Sequence, residues 1–173
     1  YTTLFRSQAF ANSCNGAFAE IGLQLNPDSF HALAEQLLFN MPLPYALPYN
    51  QSSFTMTGGA DEWEKLQTSI GQGKTQITPL HNLLIVSAIA NGGTLMKPYL
   101  IDHVENVGDQ TVKKFLPSSA GSPLSATDAQ MMAELLKSVV DFGTGSALRT
   151  DRYTAAGKTG SAEFETGKET HSW

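Results

Sequence analysis

Two short runs in this 173-residue sequence concentrate hydroxyl, amide and ammonium side chains, the groups of hydrogen bonding and proton transfer. They are Ser13-Cys14-Asn15 near the beginning and Lys158-Thr159-Gly160-Ser161 near the end. Taken singly, neither is informative. A Ser-x-Asn triplet arises by chance in roughly one chain in two of this length, and Lys-Thr-Gly in roughly a few per cent, so only their combination carries weight. On spacing alone, the ordinary reading of Ser13 is a helix N-cap, and that of Lys158 is an exposed lysine on a strand edge. Cys14 has no identifiable supporting His and makes an unpersuasive nucleophile. His31, His81, His103 and His171 are scattered, without His-x-x-x-His or carboxylate spacing, so no metal and no cofactor are expected. Glu163 and Glu165 alternate with Ala162 and Phe164, the pattern of a solvated strand face and not of an acid/base pair. Trp63 follows a Gly-Gly-Ala-Asp-Glu run and reads as loop packing.

The elements that position these runs are partly legible. Apolar residues recur at helical spacing from Leu4 to Leu25, but Asn12 to Gly16 interrupts them with cap-formers and a glycine, which predicts two helices joined by a turn. A further helix is expected over Ser29 to Phe39. Pro42, Pro44 and Pro48, with Asn50, Ser52 and Ser53, predict an extended surface loop between Asn40 and Gly59. Gly71-Gln72-Gly73 reads as another turn. Thr78-Pro79 opens a helix that Asn91-Gly92-Gly93 stops. Tyr99 to Ile101 and Thr111-Val112 flank Asn106 to Asp109 as a hairpin. Ser125 and Asp128 form a capping signature for a helix through Asp141, ended by Phe142 to Gly145. Tyr153 to Phe164 reads as a strand and Thr166-Gly167-Lys168 as the turn after it.

Composition narrows the classes. The chain is 41% hydrophobic and 16% charged, ordinary for a globular domain, and long enough for one useful core. A net charge of -5 without a Lys/Arg cluster argues against nucleic acid. The single cysteine excludes an intrachain disulfide. Leu80 to Ala90, the longest apolar stretch, is too short to span a bilayer. Tyr1-Thr2-Thr3 begins no basic-then-apolar leader, so any export signal or anchor is expected outside these residues.

Together the two runs resemble the second and third signatures of the penicillin-recognising serine enzymes, in that family's order. The likeness extends to Ile70-Gly71-Gln72-Gly73, Ile77-Thr78-Pro79-Leu80, Ala88 to Leu95, Gly143 to Ala147, Ala156 to Glu163, and His171-Ser172-Trp173, which resembles the opening of a next strand. These segments are similar to class B, monofunctional penicillin-binding transpeptidases from about Phe10 to Trp173, with an atypical stretch between Asn40 and Gly59. The resemblance implies an α/β fold in the broad, α+β sense, the penicillin-binding transpeptidase and serine β-lactamase-like fold, with helices packed on an antiparallel sheet. Residues 1–173 are expected to be part of one such domain, starting after the nucleophile motif and ending before the last strands.

In that family an acyl group passes from a D-alanyl-D-alanine stem peptide through a serine ester, and β-lactams are bound at the same place. The resemblance assigns Ser13 a proton relay to the leaving amine and Asn15 a hydrogen bond to the substrate backbone. It gives Lys158 the positive potential at the substrate carboxylate and a part in the relay, and Thr159 and Ser161 the hydroxyls that carboxylate meets. Gly160, without a Cβ, lets the strand approach the ligand, and the Ser161 N–H is an oxyanion donor. The family's Ser-x-x-Lys is missing: no serine here has lysine three positions later. The nucleophile is therefore expected upstream of Tyr1, the chain alone is expected to be inactive, and an unpaired strand edge favours self-association unless the missing part of the domain covers it. The resemblance also places the intact protein at the extracytoplasmic face of the membrane. Alternatives are a non-catalytic β-lactam sensor or assembly homologue, a DD-carboxypeptidase or β-lactamase relative, and an unrelated α/β domain.

Overall fold

The computed structural model describes residues 3–162 and 171–172. Six helices are present among them: α1 Thr3–Ala11, α2 Asn15–Gln24, α3 Pro27–Gln36, α4 Glu62–Ser69, α5 Pro79–Ala90 and α6 Ala126–Phe142. Their starts follow local chemistry. Asn26, Asp61, Thr78 and Ser125 each accept a hydrogen bond from the backbone N–H three residues on, and Pro27 and Pro79 occupy first-turn positions where no intrahelical donor is needed. The helix predicted over Ser29 to Phe39 begins two residues earlier and ends at Gln36.

A 3-10 turn at Ser146–Leu148 and three two-stranded antiparallel sheets complete the described elements: β1 Leu95–Met96 with β4 Ser119–Gly121, β2 His103–Glu105 with β3 Thr111–Lys114, and β5 Ser161–Ala162 with β6 His171–Ser172. In the hairpin, His103 faces Lys114 and Val104 faces Lys113. Its first strand lies later than the predicted Tyr99 to Ile101. The turn is set by Asn106, whose Oδ1 accepts from Gly108 N at 2.9 Å and Gln110 N at 3.1 Å. The fold is the expected mixture of helices and small antiparallel sheets, with β5 and β6 paired through Ser161↔Ser172 and Ala162↔His171.

The core lies where the sequence predicts a surface loop. Phe54 and Met56 are buried with Ala34 and Phe39, and Phe30, Leu37, Ile77 and Ile85 pack around them. The Phe54 ring meets Phe30 and Phe39 edge to face at 5.1 and 6.0 Å between centroids. A buried loop must satisfy its backbone, and it does so with side chains. Asn40 Nδ2 donates to Phe54 O at 2.9 Å and Asn40 Oδ1 accepts from Phe54 N at 3.0 Å, imitating a strand neighbour. Ser53 and Gln76 exchange both backbone bonds at 2.9 Å, and buried Ser52 accepts from Thr78 N at 3.0 Å.

Two further readings are corrected. Glu62–Ser69 form α4, so Trp63, read as loop packing, is instead an exposed residue of a helix's first turn. The apolar stripe of α4 is too thin for periodicity to reveal, although Asp61 three residues before Glu64 is a capping signature. Residues 153 to 160 form no strand; only Ser161–Ala162 does. Gly157 N donates to Leu136 O of α6 at 3.1 Å, so this segment is tied to a helix and not to a ladder. Phe164, the turn at Thr166 to Lys168, Glu163, Glu165 and Trp173 lie outside the described residues.

Three packings frame the site. Helix α1 lies on α6, α2 on α4, and α5 on α6. At Gly22 an added Cβ would collide with Ser69, so a glycine is what lets α2 and α4 approach. At Gly143 an added Cβ would collide with the Ala11 backbone, bringing the end of α6 against the end of α1.

Candidate functional site

Ser13 owes its position to the way α1 ends. Cys14 N donates to Ala9 O at 2.9 Å and Ser13 N to Phe10 O at 3.2 Å, the paired bonds of a Schellman motif. Ser13 fills the left-handed position that glycine normally takes, with φ of 52°. For an L-residue this costs about 1–2 kcal/mol. The N-cap reading of Ser13 is thereby overturned: Cys14 is the N-cap of α2, without a side-chain bond, and is exposed. Helix α2 starts at once, which puts Asn15 in its first turn and on the same cleft as Ser13.

The opposite wall is the segment entering β5. Lys158 Nζ donates to Ser13 Oγ and, at 2.9 Å, to Thr159 O. It also lies 5.9 Å from the centroid of the Phe10 ring, which meets Phe18 edge to face at 5.9 Å. Burial against this apolar wall pushes the Lys158 ammonium below its ordinary value. Thr159 Oγ1 lies 2.7 Å from Thr144 Oγ1, and Thr144 N donates to Ala11 O at 3.0 Å. Ser161 O accepts from Gln72 Nε2 at 3.5 Å, linking β5 to the turn after α4.

These walls enclose a cleft of about 460 Å³ that takes in all six predicted site residues: Ser13, Asn15, Lys158, Thr159, Gly160 and Ser161. The arrangement gathers hydroxyls, one amide and one cation on an apolar floor, suited to binding an anionic group and moving a proton beside it. Sequence reasoning missed Phe10, Phe18, Ser69, Ile70 and Thr144 as cleft residues. The two phenylalanines read as ordinary helix-face residues, and Gly143-Thr144-Gly145 as a helix stop. Cys14 is not part of the lining.

His31, His81 and His103 lie away from the cleft. Buried His81 Nε2 donates to Leu37 O at 2.6 Å, His31 Nδ1 is 2.7 Å from Met56 O, and His103 lies between Asp102 and Glu105 on the hairpin. Among the described residues, no three or more His, Cys, Asp or Glu side chains gather where they could hold a metal ion, and no helix is long and apolar enough to cross a membrane.

The family model of the penicillin binding protein transpeptidase domain matches residues 2–173. The peptidoglycan D,D-transpeptidase PbpA of Mycolicibacterium smegmatis is 30% identical over 174 residues, covering 99% of this chain and 35% of that protein. The crystal structure of the D,D-transpeptidase domain of a peptidoglycan glycosyltransferase from Eggerthella lenta superposes with a TM-score of 0.85 at 30% identity, covering 96% of this chain and 43% of the other. Penicillin-binding protein A from M. tuberculosis, in a penicillin G acyl-enzyme complex, gives a TM-score of 0.80 at 27% identity over 92% of this chain and 35% of that one. The chain thus spans about a third of the length of the first of these relatives.

Proposed function

We propose, from the premise that this chain belongs to the penicillin-binding protein transpeptidase domain family, that its cleft is the substrate-recognition side of a peptidoglycan D,D-transpeptidase site. The observation that carries this reading is the bond from Lys158 Nζ to Ser13 Oγ, which joins two motifs 145 positions apart across one cleft. A structural lysine on a strand edge would point into solvent. This one is turned onto Ser13, which occupies a strained backbone position beside the cleft.

In this reading the nucleophile is a serine supplied from outside these 173 residues, since no serine here is followed three positions later by lysine. Its oxygen attacks the carbonyl of the penultimate D-alanine of a stem peptide, and the C–N bond to the terminal D-alanine breaks. The attacking hydroxyl gives up its proton to a base supplied with it from outside these residues, while Ser13 gives its own proton to the departing amine nitrogen and recovers one from Lys158, whose burial-lowered basicity eases that transfer. The Ser161 N–H is one donor to the tetrahedral oxyanion. Thr159 and Ser161 hydroxyls and the Lys158 charge receive the terminal carboxylate, Asn15 the peptide backbone, and Gly160 leaves the ligand room to lie against the segment. A β-lactam would enter by the same contacts and stop at the ester. In this reading the intact protein works at the extracytoplasmic face of the membrane, where stem peptides are cross-linked.

The test is intact mass spectrometry after incubation with benzylpenicillin, on residues 1–173 and on the intact protein. A penicilloyl adduct on the intact protein alone is the expected result. No adduct on either would overturn the catalytic reading and leave a non-catalytic binding module; an adduct on the 173 residues alone would overturn the placement of the nucleophile.

A further inference from the structure

Building on that reading, we propose that Thr144 is a positioning residue that aims the Thr159 hydroxyl proton at the ligand's carboxylate and so sets the cleft's preference for anionic over neutral ligands. Thr144 is held by its backbone, through its N–H on Ala11 O at 3.0 Å, with Gly143 seated against the Ala11 backbone. Its side chain is left to do something else. Thr144 Oγ1 lies 2.7 Å from Thr159 Oγ1 and 3.4 Å from Ala11 O, and the residue lines the cleft.

Each hydroxyl has one proton, which restricts the pair to two arrangements. In the first, Thr144 donates to Ala11 O and Thr159 donates to Thr144, so Thr159 turns lone pairs to the cleft and repels an anion. In the second, Thr144 donates to Thr159, and the Thr159 proton is released toward the ligand. The bond lost in passing to the second is the long one at 3.4 Å, to a carbonyl already receiving the Thr144 N–H, so the exchange costs little. A carboxylate selects the second arrangement, and the Thr144 bond then polarises the Thr159 hydroxyl further. A neutral ester or amide draws on the same proton with about half the strength. The contribution of Thr144 therefore grows with the charge of the ligand, which no purely structural contact would do.

The experiment compares the intact wild-type protein with Thr144→Val, which keeps the shape and removes the hydroxyl, and Thr144→Ser, which keeps the hydroxyl. Second-order acylation rates are measured with benzylpenicillin and with its carboxylate methyl ester. Thr144→Val leaves Thr159 its bond to the carboxylate and removes only the polarising donor behind it, so it is expected to lower the acid-to-ester rate ratio about two- to threefold, mainly by slowing the acid, and Thr144→Ser to restore it. An equal loss on both ligands, or an unchanged ratio, would overturn the proposal. A wild-type protein that does not distinguish acid from ester would overturn the carboxylate seat itself and this inference with it.

Discussion

The strain at Ser13 gives a prediction that separates stability from activity at one residue. Ser13 is held at φ 52° by two backbone bonds that end α1, so any side chain there bears the left-handed penalty of about 1–2 kcal/mol, and only glycine escapes it. Replacing Ser13 by Ala keeps the penalty and removes the bond from Lys158 Nζ; replacing it by Gly removes both. The lost bond cancels between the two variants. Against the relieved strain stands the greater freedom of an unfolded glycine, about 0.4–1 kcal/mol. Ser13→Gly is therefore expected to be about 1 kcal/mol more stable than Ser13→Ala. The assay is urea unfolding of the intact protein, read at this domain's own transition and compared at equal m-values. Both variants are expected to lose about 100-fold in benzylpenicillin acylation, the usual worth of a positioned proton donor. Equal stability, or an alanine variant more stable than the glycine one, would refute the claim that the serine is kept here at a conformational cost. Acylation at close to the wild-type rate in either variant would refute its place in the proton relay.

Three other outcomes follow from the geometry. Gly143→Ala drives a Cβ into the Ala11 backbone and is expected to cost about 1–3 kcal/mol and to slow acylation, whereas Gly108→Ala in the hairpin turn, whose nearest neighbour would be Asn106 Oδ1 at 3.4 Å, serves as the mild control; thermal melts and penicilloyl formation read both. Burial holds Lys158 below 10.5, so between its folded and ordinary values the unfolded chain binds more protons and stability rises with pH; Lys158→Gln is expected to flatten that rise in urea midpoints taken through the alkaline range, and an unchanged slope would contradict it. His103 is raised above 6.5, first by Asp102 and then by Glu105, so it stabilises the hairpin fully below 6.5 and loses that contribution as pH rises through its folded value. An NMR titration should place its midpoint above 6.5 and show Asp102→Asn lowering it more than Glu105→Gln; a midpoint at or below 6.5 would count against the contacts.

What the sequence disclosed depended on whether the determining contacts were local. Thr78-Pro79 and Ser125 with Asp128 are caps closed within one turn, and both helices begin where those residues predict. The six motif residues were legible because side-chain type and order survive without coordinates, and the fold brings all six to one cleft. The rest depends on contacts that no window of sequence contains. Phe10 covers Lys158, and Thr144 reaches Thr159, only because α1 and α6 pack end against end at Ala11 and Gly143. Residues 40–59 misled for a different reason: prolines and polar residues ordinarily mark a surface loop, because a buried one would strand its backbone. Here Asn40 and Ser52 take the place of the missing ladder, so Phe54 and Met56 can enter the core without periodicity of any kind. The same logic governs Lys158. Its segment was read as a strand, yet Gly157 is tied to Leu136 of α6, and that tether, not a sheet, presents the lysine to Ser13. Substitutions that loosen α6 should therefore reach the chemistry through Lys158 and Thr144 before they reach the core around Phe54, which α6 does not build.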